Sequence, residues 1–484
     1  MNYKMVGRFS AQMLLIEGLL LIPAAIISLY FGESAAVSGF LATIAIIAIF
    51  AVPVYYLCRD AKSAFYATDG MICVALCWFI LSLAGALPFF ISGAIPNYID
   101  ALFETVSGFT TTGASILSDV ESLAKGLMYW RSFTHWIGGM GVLVFLLAVV
   151  PAKGGEQGFT MHLLRAESPG PSVGKLVPKM RQSAAILYII YIVLTIINVL
   201  FLLLGHMDPL EALCTALGTA GTGGFGIKND SMASYSPYIQ NVTTIFMLLF
   251  GINFTCYYLL LMRQVKSVLK DEELRLYIGI VAGSIALIVW NLRGFYPTME
   301  ETVRHAAFQV GSIITTTGYS TTDFDLWPSF SKTILLCLMV VGACAGSTGG
   351  GIKVVRVLLL FKSLRRNIAQ MLHPRKVQSI RNNGNVVSEQ IVANTNAYLS
   401  AYVVILFLSF MLVSIDGFSI GTNFSAVLSC FNNIGPGMEA VGPMCNFGVY
   451  SAFSKIVLIL DMLLGRLEIF PILVLFSVNA WKNA

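Results

Sequence analysis

Apolar residues run along this chain in long blocks separated by short polar breaks. Blocks near the ~20 residues that cross a bilayer fall at roughly 10–30, 37–57, 71–92, 133–151, 184–205, 242–262, 274–291, 333–361, 396–416 and 456–478. They predict ten spanning helices, the eighth interrupted. Four shorter runs, at about 100–111, 208–219, 300–315 and 422–432, are too short to span and read as half-helices. Three begin with acidic or polar residues that suit a helix N-terminus: Asp100, Asp208 before Pro209, and Glu300 with Glu301.

Each half-helix leads into an uncharged stretch rich in Gly, Thr or Asn. The first reads Gly108-Phe109-Thr110-Thr111-Thr112-Gly113 and the third Ile314-Thr315-Thr316-Thr317-Gly318. The second reads Thr219-Ala220-Gly221-Thr222-Gly223-Gly224, and the fourth Asn432-Asn433-Ile434-Gly435-Pro436. The chain thus divides into a two-helix hairpin (1–65) and four units of helix, half-helix, loop and helix (66–155, 180–265, 270–365 and 390–484). Four copies of one unit predict a pseudo-fourfold object. Extended backbone at membrane depth survives only if it is buried in protein or lines a wet cavity. The expected fold is an all-α polytopic membrane protein whose four loops meet around a central ion pore.

Composition agrees. The chain is 57% apolar and 11% charged, against about 25% charged in soluble proteins. Continuous apolar runs, rather than alternating ones, exclude a membrane barrel. The nine cysteines include no CxxC pair, no His/Cys/carboxylate cluster has metal-ligand spacing, and no acid/base pair appears. An enzyme is therefore the least supported class, and no cofactor is implied. Gly221 to Gly226 matches GxGxxG literally but follows no strand, so nucleotide binding is discarded. His135, beside Trp136, is expected at the membrane interface.

Charge gives an orientation. Loops on the side of both termini carry 22 basic residues, and the opposite loops carry seven. The positive-inside rule places both termini in the cytoplasm. Acids run the other way, fourteen outside and eight inside. The Gly/Thr loops then open to an outer face that concentrates cations.

Uncharged carbonyls suit K⁺, which must bind firmly enough to dehydrate and weakly enough to leave. One Gly per loop lets the backbone adopt unusual dihedrals. Taken in register these are Gly113, Gly223, Gly318 and Gly435. The carbonyl donors are then Thr110, Thr111 and Thr112; Ala220, Gly221 and Thr222; Thr315, Thr316 and Thr317; and Asn432, Asn433 and Ile434.

On these motifs the chain resembles the TrkH subunits of the bacterial Trk/Ktr/HKT superfamily of potassium transporters. The likeness runs the whole length and includes the N-terminal hairpin. It implies K⁺ uptake across the bacterial inner membrane, a homodimer, and cytosolic TrkA-type regulatory subunits that bind nucleotide. In relatives a Ser at the first filter glycine accompanies Na⁺ permeation, so Gly113 favours K⁺. Two further features gain roles. Gly346-Ser347-Thr348-Gly349-Gly350-Gly351 interrupts the eighth span, because so much Gly cannot hold a helix. The resemblance makes it an intramembrane gating loop. Arg466 lies inside the last span, where an unpaired charge costs ~2.5–3.5 kcal/mol. The resemblance puts it below the filter, opposing cation passage, with Glu468 and Asp461 as candidate partners. The eight basic residues of 352–394 are expected to meet lipid headgroups and a cytosolic partner. Nothing points to nucleic acid. The alternative is a symporter coupling K⁺ to H⁺ or Na⁺, with Asp461 and Glu468 as its only candidate carboxylates. An organic-solute transporter would need charged substrate anchors in broken helices, which four uncharged loops do not supply. Glu17, in the first span, is expected to be structural.

Overall fold

The computed structural model describes residues 2–60, 67–141, 180–375, 378–477 and 481. The second half of the fourth predicted span, most of the basic loop 151–182, Lys62 and Lys482 lie outside the described residues.

Helices α1 (Tyr3–Leu20) and α2 (Ile22–Tyr30) make one span, and α3 (Ser34–Leu57) returns. The first repeat holds α4 (Ala67–Gly85), α5 (Leu87–Ile91), the half-helix α6 (Tyr98–Phe109) and α7 (Lys125–Gly139). The second holds α8 (Met180–Leu204), the half-helix α9 (Pro209–Gly221), α10 (Pro237–Phe250), α11 (Phe254–Leu261) and α12 (Val265–Lys270). The third holds α13 (Glu272–Asn291), the half-helix α14 (Met299–Ile314), α15 (Ser329–Val341) and α16 (Val354–Leu372). A short antiparallel pair, β1 (Arg381–Asn382) and β2 (Asn385–Val386), precedes the fourth. That repeat holds α17 (Glu389–Val413), the half-helix α18 (Ile420–Phe431), α19 (Ala452–Arg466) and α20 (Phe470–Leu475).

The half-helices begin where local chemistry allows. Asp208 caps α9, accepting from Leu210 N and Glu211 N, with Pro209 at the first helical position. The other caps are Asn97, Thr298 and Ser419. Asp100, Glu300 and Glu301 sit in the first turn, where negative charge suits the positive end of the helix dipole.

The repeats close into a ring. The second helix of each packs on the half-helix of the next: α7 on α9, α10 on α14, α15 on α18, and α19 back on α6. Among the described residues six helices are long and apolar enough to span alone. The other predicted spans are broken or extend beyond the described residues. Sequence predicted one break, in the third repeat. In all four repeats, however, the helix after the loop stops after 13 to 15 residues. The α10–α11 break bends the chain by 89°. Two of these helix ends are closely packed. Added Cβ atoms on Gly138 and Gly465 would overlap the carbonyls of Phe109 and Phe431, the last residues of two half-helices. The chain has to step aside beyond these contacts.

Candidate functional site: four loop corners and the segment beneath them

Every half-helix ends in the same corner. Thr111, Thr222, Thr316 and Asn433 are all left-handed, with φ of 56°, 53°, 59° and 56°. The N–H of each bonds back three residues, to Gly108, Thr219, Ile313 and Cys430. The next N–H, of Thr112, Gly223, Thr317 and Ile434, bonds back five, to Ser107, Gly218, Ser312 and Ser429, at 2.8 to 3.0 Å. This is the double closure of a Schellman cap. Glycine normally occupies its left-handed position; three β-branched Thr there are outliers, each costing ~1–3 kcal/mol. The buried surroundings hold them in place.

Two residues on, Gly113, Gly224, Gly318 and Gly435 have φ of 80°, 75°, 88° and 107°. The second loop therefore registers one residue later than expected. Gly224, not Gly223, matches Gly113, and Ala220 and Gly221 belong to α9. Gly223 serves space instead: a Cβ there would overlap the His135 ring.

These glycines show how the loops meet. A Cβ on Gly113 would overlap the carbonyl oxygen of Gly223, one on Gly224 that of Thr317, and one on Gly318 that of Ile434. A Cβ on Gly435 would lie 2.9 Å from the oxygen of Thr112. Each loop thus leans on the equivalent carbonyl of its neighbour, in cyclic order, and the fourth closes on the first. A side chain at any of these positions would have to push a neighbouring carbonyl aside. Hydroxyl pairs brace the corners: Thr110 Oγ1 lies 2.8 Å from Thr112 Oγ1, and Thr315 Oγ1 lies 2.7 Å from Thr317 Oγ1. Asn432 Nδ2 donates to Tyr402 Oη at 2.8 Å, and Asn433 Nδ2 to Thr112 Oγ1 at 3.0 Å. On one side of the ring, a cavity of about 120 Å³ is bordered by Gly113, Gly224, Gly318 and Gly435 together with loop residues such as Asn229 and Cys445. This side is called the mouth below.

On the other side the ring meets the break between α15 and α16. Gly350 N donates to Thr316 Oγ1 at 2.6 Å and Gly351 N to Asn432 O at 3.1 Å. A Cβ on Gly349 would lie 2.7 Å from Thr315 O. Gly346 and Gly351 have positive φ, and Thr348 is fully buried. Ser347 Oγ closes its own turn on Cys344 O at 2.6 Å. The carboxylate of Glu273 ties both ends of the segment, accepting from Ala345 N at 2.6 Å and Val355 N at 3.2 Å. Lys353 reaches back to the carbonyl of Gly349.

Arg466 lies at this same junction. Its guanidinium donates to Thr111 Oγ1 at 3.2 Å, Thr348 O at 2.9 Å, Gly139 O at 2.7 Å and the Gly138 carbonyl. The carboxylates expected beside it are engaged elsewhere. Glu468 takes both arms of Arg356, at 3.0 and 2.6 Å, with Arg356 lying over the Tyr398 ring. Asp461 accepts from Ser409 Oγ at 2.6 Å, between α19 and α17. The helix ends at Arg466, and with φ of 57° at Glu468 and 67° at Ile469 the chain turns so that Glu468 meets Arg356. Lys353 and Arg356, counted above in a basic cytoplasmic loop, are buried here. Glu17 is buried behind α6, close to Gly85 and Phe109, and finds no hydrogen-bond partner among the described residues.

Sequence reading missed one cluster. Glu104 and Arg131 form an ion pair at 2.6 Å, both essentially solvent-free. His135 is also fully buried rather than interfacial, and bridges Gly108 O at 2.8 Å and Phe225 N at 3.3 Å. Glu104 and Arg131 had been counted as outer charges. The usable signal was their position in mostly apolar runs, where an unpaired charge is costly.

Known proteins match along the full length. The profile of the TrkH family, described as cation transport protein, matches residues 36–287 and 296–483. The Trk system potassium uptake protein TrkH of Escherichia coli K12 is 34% identical over all of both chains. The Trk system potassium uptake protein TrkG of the same strain is 31% identical, covering 100% of this chain and 99% of its own. The crystal structure of the potassium transporter TrkH from Vibrio parahaemolyticus superposes with a TM-score of 0.88 at 31% identity, covering 99% of this chain and all of that one. With a family profile across nearly all its length and relatives above 30% identity end to end, the chain belongs to the TrkH family, a family of membrane transporters and not of enzymes.

Proposed function

We propose that this chain takes up K⁺ through the loop ring and gates it with the segment beneath. The observation that carries the reading is the cyclic contact of four equivalent carbonyls, from Thr112, Gly223, Thr317 and Ile434. Such a ring replaces part of the water shell of K⁺ without a fixed charge that would trap it. The half-helices aim their partly negative C-termini at the same place, which favours a cation. The filter is formed by Thr110 to Gly113, Gly221 to Gly224, Thr315 to Gly318 and Asn432 to Gly435.

The gate is the segment Gly346 to Gly351 with Arg466. In the observed state its N–H groups and the guanidinium hold Thr316 Oγ1, Asn432 O and Thr111 Oγ1, oxygens at the inner end of the ring. A cation leaving the ring meets a steric plug and a positive charge together. We assign the mouth to the outside of a bacterial inner membrane and both termini to the cytoplasm, on the charge bias of the loops. We further assign a homodimer and control by cytosolic nucleotide-binding subunits of the TrkA type. The Trk system names of the relatives support a partner subunit in general.

A gated pore is favoured over the coupled symporter by the placement of its candidate carboxylates. Glu468 is neutralised by Arg356, and Asp461 is turned toward α17. The test is K⁺ and Rb⁺ flux into liposomes holding the purified protein, wild type beside Gly113→Ser. Flux down a K⁺ gradient alone, with loss of K⁺ preference over Na⁺ in the variant, is expected. Flux that requires an imposed H⁺ or Na⁺ gradient would replace the pore with a symporter.

A further inference from the structure

The ring is not held equally on its four sides. We propose that Glu104, Arg131 and His135 form a clamp that positions the first two filter loops and thereby sets the selectivity of the pore. The inference deepens the filter reading above and rests on it.

The clamp is built from two helices of one repeat. Glu104 comes from the half-helix α6, and Arg131 and His135 come from α7. The Glu104 carboxylate accepts Arg131 Nε at 2.6 Å, Ser115 Oγ at 3.0 and 3.1 Å, and Ile116 N at 3.0 Å. Ser115 and Ile116 directly follow the first filter loop, so its far limb is tied down. Arg131 donates its other arm to Gly226 O at 2.9 Å and stacks 3.6 Å above the Phe225 ring. His135 takes the N–H of Phe225 on Nε2, so its proton sits on Nδ1 and points at Gly108 O. Phe225 and Gly226 directly follow Gly224, so the second loop is tied by the same three side chains.

The other two loops lack this device. In the observed register Glu104 stands nine residues before Gly113. The matching residues are Thr215, Gln309 and Ala426. Gln309 is fully buried, yet its amide finds no hydrogen-bond partner among the described residues. Next to the ring the third and fourth loops are braced by neutral groups, Ser312 Oγ on Tyr319 O and Ser429 Oγ on Gly435 O, and by the gate segment beneath; the carboxylate of Asp325 acts further out, on Glu439 N at 2.7 Å, and no buried ion pair joins them among the described residues. Charge-assisted bonds are about twice as strong as neutral ones. The rigid half of the ring is therefore the half that the glycine segment of the gate does not bond, the gate reaching it through Arg466 on Thr111 Oγ1. Selecting between ions of like charge requires ligands that resist collapse onto the smaller one, and the clamp supplies that resistance.

The test uses the full chain in liposomes, with K⁺/Na⁺ permeability read from reversal potentials. The double variant Glu104→Met/Arg131→Leu removes both charges at similar volume, a replacement that folded proteins commonly tolerate. The expected result is a thermal midpoint near that of wild type and a permeability ratio lowered about tenfold, equivalent to ~1.4 kcal/mol of discrimination. Arg131→Lys keeps the charge but cannot serve Glu104 and Gly226 at once, and is expected to give an intermediate ratio. It carries the test if the double variant does not fold. A folded variant with the wild-type ratio, beside a Gly113→Ser control that loses it, overturns the clamp and leaves the filter standing. An unchanged ratio in Gly113→Ser as well removes the filter reading and the clamp with it.

Discussion

At the scale of single residues the site depends on what side chains forgo. Arg466 donates to main-chain carbonyls and a filter hydroxyl, while Glu468 bonds Arg356 and Asp461 bonds Ser409. In Arg466→Ala those contacts vanish from the closed state, while an open pore loses nothing. Weakening the closed state by ~1.4 kcal/mol raises a small open population about tenfold. Rb⁺ uptake without any regulatory subunit should rise accordingly; unchanged uptake by folded protein would remove Arg466 from the gate. Asp461 makes the contrary case. It is buried and bonds Ser409 away from the ring, and an Asn amide oxygen can accept the same hydroxyl, so Asp461→Asn should leave K⁺ flux near that of wild type across pH. Loss of flux together with its pH dependence would restore the symporter. Sequence located Arg466 because an Arg in an apolar span stands out. It did not show the bonds of Glu468 to Arg356 and of Asp461 to Ser409, the first made where two positive-φ residues, Glu468 and Ile469, turn the chain out of a continuous helix. It also set the second loop one residue early, because Gly223 and Gly224 look alike in sequence and differ only in φ.

Among elements, the half-helices were legible and the helix breaks were not. Short runs ending in Gly/Thr stretches betray themselves by length and by repetition. A break leaves a signal only when several glycines gather, as at 346–351. Gly251 and Gly465 lie at helix ends with no room for a side chain, against Thr315 and Phe431, and composition carries no trace of those contacts. The gate segment follows the same logic. It is an irregular chain held by what it touches, and Glu273 touches both of its ends. Glu273→Gln keeps the shape but trades charge-assisted acceptance for neutral, roughly halving each bond. The segment should open more often. Labelling of Ser347→Cys by a thiol reagent should speed up several-fold in the Glu273→Gln background, with K⁺ flux rising in parallel. Equal labelling rates in both backgrounds would show that the segment is held by the ring alone.

For the molecule as a whole, the fourfold ring follows from the sequence because four copies of one unit have no other closed arrangement that buries their loops. What repetition does not reveal is that the copies are unequal, with the Glu104–Arg131 pair beside the first two loops and the glycine segment of the gate bonded to the third and fourth. The distribution of charge between the two faces adds a last consequence. Leaving out the buried Glu104–Arg131 pair, the segments on the mouth side carry thirteen acids against six bases, and Asp119 and Glu121 both bond Asn229 at the rim of the cavity. A negative funnel concentrates K⁺ before any carbonyl binds it. Its reach is the Debye length, ~30 Å at 0.01 M salt and ~8 Å at 0.15 M. Raising ionic strength with choline chloride should therefore slow uptake at low K⁺ and leave the maximal rate at saturating K⁺ unchanged. Replacing Asp119 and Glu121 by Asn and Gln should flatten that dependence while leaving the K⁺/Na⁺ ratio untouched, since neither side chain reaches the ring. If salt lowers the maximal rate instead, the charges act on the gate or the fold, and capture of K⁺ at the mouth does not limit uptake.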